Sequence, residues 1–417
     1  MGSLWTEVEL LHDDRSLAPN AHAARSVIAR MIADAPHLGR SEIVKSTGLA
    51  RSTVDRHLGV LAEAGIIEDA GLARRDARGR PAQVFSVRAD KGIVLVADVT
   101  MVRFRAALIT LTRDVLAETE IEMSVERGPD EVLGRIADTF TELMTEHGLA
   151  GFEVLAVSIG LPGPVDSHRG MAVRPPGMPG WDGFLVCRFM AKRFNADVLV
   201  DNRVNLMALA EARSYKGGFL PLLVVHVGDS VGAGFVGPDG RVLHGADGAA
   251  SDIGHIQMRD QTDVLCACGN HGCLAAVASA AAMAAQLSAA RGHEVSLPAF
   301  LEQLRLGDPT TVSIAREKAT SLGHVIANLV NFCNPARIVL SGPVVESTDD
   351  ILARIRSVVY QQAQPLATRN LSLAHSSLGD DAALIGGMIF GIEQVLSPRG
   401  IAYQSRGPRS TMLPLGL

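Results

Sequence analysis

Two textures of apolar spacing divide the chain. From Ala21 the apolar positions follow a helical period: Ala24, Val27, Ile28 and Met31 form one stripe, and the stretch from Pro36 to Gly39 ends it. A short helix over Ser41 to Ser46, a tight turn at Thr47-Gly48-Leu49 and a third helix from Ser52 to Ala64, stopped by Gly65, come next. Short helices on either side of a glycine turn are the helix-turn-helix pattern. Ile66 and Ile67 then open a strand and Gln83 to Val87 return it, so a hairpin follows the third helix. Its tip carries Arg74, Arg75 and the run Arg78-Gly79-Arg80-Pro81. Residues 21–90 read as a winged helix-turn-helix domain behind an N-terminal tail over residues 1–20.

From Lys91 strands and helices alternate. Ile93 to Val99 and Phe104 to Leu111 are apolar strands and Val115 to Met123 a third; Asp130 to Glu146 is helical, Val154 to Ile159 a buried strand and Phe184 to Phe194 a helix. A short strand, Val198 to Val200, precedes an alanine-rich helix from Val204 to Tyr215. A second cycle opens with strands Leu222 to Val227 and Gly232 to Val236, and a long helix from Thr310 to Phe332 leads into a strand from Arg337 to Leu340. A cycle repeated approximately once predicts an α/β architecture of two similar lobes, with ligands in the cleft between them. We place this domain at residues 91–400, with lobe one at 91–205 plus a C-terminal helix over 382–396, lobe two at 206–381, and a tail at 401–417.

The composition narrows the setting. At 417 residues, 47% hydrophobic and 20% charged, the chain has material for more than one core, and with only 4% aromatics those cores are aliphatic. A net charge of −6 gives no whole-chain attraction to nucleic acid, so any such binding needs a local basic patch. Residues 40–88 supply one: their net charge is positive, and the arginines gather at the wing tip and the start of the third helix. On that helix Val54, Leu58 and Leu61 are expected to face inward. Arg51, Ser52, Thr53, Arg56 and His57 are expected to lie outside, the residue types that reach phosphates and base edges in a major groove. Arg78, Gly79 and Arg80 give a wing slender enough for a minor groove. The other reading of three helices and a hairpin is a protein-interaction module.

The strongest chemical signal is Cys266-Ala267-Cys268-Gly269-Asn270-His271-Gly272-Cys273, with His255 upstream. Three thiols at C-x-C-x4-C spacing, with glycines where the backbone must turn back, can converge with one imidazole into the closed Cys3His set typical of structural zinc, the alternatives being a disulfide or inert thiols in a loop. Three clustered cysteines cannot all pair, and a C-x-C pair is badly aimed for a disulfide. Five cysteines, with Cys187 and Cys333 isolated, suit a reducing compartment, and the N-terminus shows no secretion signal, so a cytoplasmic location is expected. The small-apolar run from Leu274 to Ala290 is too short and polar to span a bilayer and reads as one buried helix behind the knuckle, with no role for a membrane.

The Arg-Gly-Arg-Pro-Ala wing, the loop Leu161 to Asp166, the segment Gly245 to His255 and the cysteine knuckle together resemble the ROK family of sugar kinases and sugar-responsive repressors, over about Ala21 to Leu396. The resemblance implies a two-lobed actin-like (ribonuclease H-like) ATPase fold after the winged helix. It also implies zinc held by His255, Cys266, Cys268 and Cys273, with a sugar in the cleft nearby. The family's catalytic base is the Asp of an Asn-Asp-Ala-Asn-like motif. Here that stretch is Asp201-Asn202-Arg203-Val204-Asn205, which puts Arg203 in the base position, and a guanidinium takes no proton at neutral pH. A shifted register would leave Asp201 as the base. The phosphate loops depart too, reading Asp98-Val99-Thr100-Met101 and Gly228-Asp229-Ser230-Val231-Gly232.

The expected protein is therefore not an enzyme but a zinc-containing repressor. It binds a pseudo-palindromic double-stranded operator as a homodimer or homotetramer. Asn202, Arg203, Asp252 and His255 are the candidate ligand residues. Their pocket either takes an anionic or sugar-phosphate effector through Arg203 or has lost its ligand. An ATP-dependent sugar kinase and a ligand-independent dimeric regulator or scaffold are the alternative readings.

Overall fold

The structure is a computed structural model of the chain and describes residues 4–11, 21–73, 82–216 and 218–404. The wing tip, with Arg74, Arg75, Arg78, Gly79, Arg80 and Pro81, lies outside the described residues. The amino-terminal unit runs α1 (Leu4–Glu7), α2 (Ala21–Asp34), β1 (Leu38–Gly39), α3 (Arg40–Thr47), α4 (Arg51–Glu63), β2 (Ile67–Ala73) and β3 (Ala82–Val87). The α3–α4 turn works because Gly48 takes φ 66°, in the left-handed region that a side chain disfavours, and its N–H donates to the carbonyl of Val44. The Glu42 carboxylate closes the other end of α3 by accepting from the Gly39 N–H at 2.8 Å. The wing sheet has the order β1-β3-β2, with Leu38 opposite Phe85. A two-residue strand has no periodicity to read, so β1 was not visible in the sequence.

The first lobe contains β4 (Ile93–Val99), β5 (Arg103–Thr110), β6 (Val115–Glu122), α5 (Pro129–Glu146), β7 (Val154–Leu161), β8 (Val165–Asp166), β9 (Met171–Ala172), α6 (Val186–Phe194), β10 (Asp197–Asn202) and α7 (Arg203–Ser214). Its main sheet has the order β10-β7-β4-β5-β6, with β4 antiparallel to β5 and parallel to β7. Every residue of β4 is buried because both faces of the sheet are covered. Ile93, Leu95, Ala97 and Val99 join the core under α5 and α6, and the alternate residues Val94 and Val96 join the core under α7.

The second lobe holds β11 (Leu222–Val227), β12 (Val231–Val236), α8 (Leu274–Ala278), α9 (Ala280–Arg291), α10 (Leu297–Arg305), α11 (Pro309–Cys333), β13 (Arg337–Ser341), α12 (Pro343–Ser347), α13 (Asp349–Gln362), α14 (Pro365–Thr368) and β14 (Ser372–His375). Its sheet has the order β12-β11-β13-β14. The single helix expected from Leu274 to Ala290 is two helices. Ser279 ends α8 and caps α9, its hydroxyl accepting from the Ala282 N–H at 3.1 Å, which breaks a run of otherwise continuous helix formers.

The chain then returns to the first lobe through α15 (Ala382–Val395) and ends its described part with α16 (Pro398–Gln404). Helix α15 lies against α7, β4 and β7. It approaches so closely that a Cβ at Gly386 would sit 1.9 Å from the Leu206 carbonyl oxygen. Helix α16 packs on α2, and one apolar core runs from Trp5, Ile28 and Ile32 through Ile401 and Val395 to Met207 and Val94. The helix-turn-helix and the first lobe therefore share a core.

Candidate functional site

The knuckle residues come together. His255 closes a short turn, Ile253–His255, after the cleft loop, and the cysteine loop is tied back by bridges pairing Gln257 with Cys273 and Leu265 with His271. Gly272 (φ 71°) makes the approach possible, since a Cβ there would lie 2.9 Å from the Gln261 carbonyl oxygen. The four candidate ligand atoms lie within 4.8 Å of one another. Cys268 Sγ is 3.7 Å from Cys273 Sγ, and Cys266 Sγ is 3.8 Å from His255 Nδ1. Sulfurs about 2.3 Å from a common tetrahedral centre sit about 3.8 Å apart, and a sulfur and an imidazole nitrogen about 3.6 Å. A disulfide needs about 2.05 Å, so the cysteines are free thiols spaced for a metal ion. The donor set fits a closed structural site with no position left for a reacting group.

Behind the cleft loop, a small cavity is lined by Asn202, Asn205, Asp252, Ser251, Gly248 and Pro164, among others. Asn202 is largely committed to structure: its side-chain oxygen accepts from the Val204 N–H at 2.8 Å, capping α7, and its amide donates to the Gly163 carbonyl at 2.8 Å. Arg203 does not line this cavity. Its guanidinium grips the Asp98 carboxylate through two nitrogens, each at 3.0 Å. The expectation of an open cation in the cleft is therefore corrected, because the end of β4 places Asp98 directly beside the first turn of α7. The shifted-register alternative fails on similar grounds. Asp201 is buried and already accepts from the Asn202 N–H (2.7 Å) and the Asn205 amide (2.9 Å), with His244 Nε2 at 2.6 Å. It lies buried with both oxygens already engaged, away from the exposure a general base needs to meet a substrate.

On α4, Arg51, Ser52 and Arg56 are exposed and Thr53 half-buried, while Val54, Leu58 and Leu61 are buried. His57 corrects the sequence reading: it is only 2% exposed. Three residues after Val54 and one before Leu58, it belongs to the inward stripe. Burial, then the nearby Arg25 and Arg56, push its imidazole below the ordinary histidine value, so it is neutral at pH 7. Its Nδ1 has no hydrogen-bond partner among the described residues.

A polar junction escaped the sequence reading altogether. Arg113, at the β5–β6 turn, pairs with Asp34 of α2 at 2.8 Å and donates to the Ala33 carbonyl at 2.7 Å. Arg213 of α7 pairs with Glu393 of α15 at 2.9 Å, and Arg30 of α2 donates to the Glu393 carbonyl at 2.8 Å. Ser26 donates to the Leu396 carbonyl at 2.6 Å. Arginines and carboxylates 79 and 180 positions apart carry no local signal of pairing.

A known-family profile for ROK proteins matches residues 96–393, and one described as bacterial regulatory protein, arsR family, matches residues 24–69. The chain belongs to the ROK family. A glucokinase of Halalkalibacterium halodurans is 28% identical over 305 residues, 70% of this chain and 92% of the glucokinase. A xylose repressor of Caldicellulosiruptor bescii is 24% identical over 385 residues, 89% of this chain and 96% of the repressor. The solved structure of a ROK family transcriptional regulator, a homologue of the Escherichia coli MLC protein, superposes with a TM-score of 0.79 at 25% identity, covering 92% of this chain and 98% of that one. Within the family this chain is a transcriptional regulator, a helix-turn-helix joined to a kinase-like domain. Among the described residues no helix is long and apolar enough to cross a membrane.

Proposed function

We propose that this regulator represses transcription by binding a pseudo-palindromic operator as a homodimer or homotetramer, with half-sites about 34–36 Å apart. The observation that carries the reading is the exposed leading turn of α4, where Arg51, Ser52 and Arg56 stand clear of a packed helix-turn-helix core. Arg78 and Arg80 of the wing would add minor-groove contacts. Zinc bound by His255, Cys266, Cys268 and Cys273 would cross-link the knuckle and fix the His255 ring beside the cleft loop; its role is structural. A reducing cytoplasm keeps those thiols available.

The domain is not a kinase on this reading, because the base position holds an arginine already paired to Asp98 and the neighbouring Asp201 is buried and paired with His244. With Arg203 neutralised, the Asp252 carboxylate and the Ser251 lining of the cleft favour a hydroxyl-rich effector over a phosphorylated one. Such an effector would weaken operator binding by as much as it prefers one domain arrangement. Titration of DNA from the chain's own promoter region, with varied salt, tests the main reading; no salt-dependent, sequence-selective binding would refute it. Release of ADP with any sugar of a hexose and pentose panel would refute the loss of catalysis.

A further inference from the structure

The first turn of α7 closes a partly buried polar chain that neither the helix-turn-helix nor the metal centre uses. Arg203 holds Asp98 through two nitrogens at 3.0 Å each, and its third nitrogen lies 3.3 Å from His226 Nε2. His226 Nδ1 in turn lies 3.0 Å from Ser341 Oγ. Asp98 stands near the end of β4 in the first sheet; His226 and Ser341 stand near the ends of β11 and β13 in the second. One guanidinium thus joins the carboxyl ends of two sheets that share no strand.

The roles along this chain are fixed by elementary hydrogen bonding. Burial, then Arg203, push His226 down to about 3, so the ring is neutral. An arginine nitrogen only donates, so Nε2 accepts and Nδ1 carries the proton that is donated to Ser341. Gly228 makes room for the ring, since a Cβ there would sit 2.7 Å from Nε2. Asp229, in the β11–β12 turn, and Asp380, ahead of α15, also act on the guanidinium. Asp98 at the end of β4 thus holds the cation directly, and the carboxylates of two flanking turns add to its field. Without that cation the Asp98 carboxylate would stand uncompensated at the end of β4.

We propose that Arg203 is an interlobe clamp, holding the two lobes in one relative position with no ligand bridging them. A buried pair of this kind contributes specificity of arrangement more than net stability.

Amide hydrogen exchange of the full chain, without DNA or effector, tests the clamp independently of the operator and effector readings. In Arg203→Met, exchange is expected to rise about tenfold in peptides spanning residues 98–104 and 226–232, with α5 unchanged. His226→Ala, which keeps the Asp98 pair, is expected to accelerate the 226–232 peptide alone. Wild-type exchange in both peptides for both variants would overturn the proposal, as would equal acceleration throughout the chain. Should Arg203→Met not fold, His226→Ala decides: an unaltered 226–232 peptide overturns the clamp.

Discussion

Replacing Arg113 should uncouple the helix-turn-helix from the kinase-like domain. Its side chain is 5% exposed and that of its partner Asp34 is 7% exposed, so neither charge is screened by water. The Asp34 carboxylate also accepts from the Leu10 N–H at 2.9 Å, which ties the N-terminal segment into the same junction. Truncating one partner of a buried pair leaves the other charge desolvated, at a cost of about 3–5 kcal/mol, or roughly a hundred- to several-thousand-fold in the equilibrium for keeping the junction closed. Arg113→Met removes the charge and the donations to Ala33 and Asp34 while filling similar space. The shared core predicts a single calorimetric transition for the unaltered chain, because α2 cannot leave α16 without exposing Ile28, Ile32 and Ile401. Arg113→Met should lower the midpoint and split the transition, with the amino-terminal unit melting first. Adding Asp34→Leu should recover part of the loss, since it removes the uncompensated carboxylate but leaves the Leu10 N–H without its acceptor. A variant that melts in one step, within about 0.5 kcal/mol of the original, would refute the reasoning, because that is the range of an ordinary surface substitution.

Three other outcomes follow from the site geometry. Purified protein should carry about one zinc per chain by elemental analysis, and Cys273→Ser should lose it together with several degrees of thermal midpoint; full metal content in that variant would show that the cluster is not the site. Arg56→Ala should weaken operator binding and shallow its salt dependence by about one ion, whereas His57→Leu should leave affinity nearly unchanged because His57 faces the core. The hydrogen bond to Asp201, outweighing burial, raises His244 above the ordinary histidine value. Its contribution is therefore fully present below about pH 6.5 and is lost as pH rises through the folded value. The stability difference between the unaltered chain and His244→Gln should shrink on moving from pH 6 to pH 9, and a difference that grows would refute the assignment.

How far the sequence carried depended on whether a feature was local. The helix Arg51–Glu63 and the strands Ile93–Val99 and Leu222–Val227 emerged at or within a residue of the expected bounds, because a period of 3.6 or a buried apolar run is written in consecutive residues. The knuckle was legible for the same reason: three of its four ligands fall within eight residues. Where two periods compete, the sequence misled. His57 is a polar residue on a surface helix, yet its place relative to Val54 and Leu58 buried it.

Composition and spacing by themselves determined a helix-turn-helix ahead of an α/β domain and a Cys3His cluster, and the resemblance to the ROK family implied the loss of a carboxylate at position 203. Only the tertiary structure decided what stands beside that arginine. The sequence offered a cation open to an anionic ligand; the fold brought Asp98, more than a hundred residues away, to 3.0 Å and neutralised it. It likewise joined Asp34 of α2 to Arg113 at the β5–β6 turn and Glu393 of α15 to Arg213 of α7, with Arg30 of α2 reaching the Glu393 carbonyl. Charge pairing is set by distance in space, and for residues this far apart that distance is fixed by sheet order and helix packing rather than by anything the chain spells out locally.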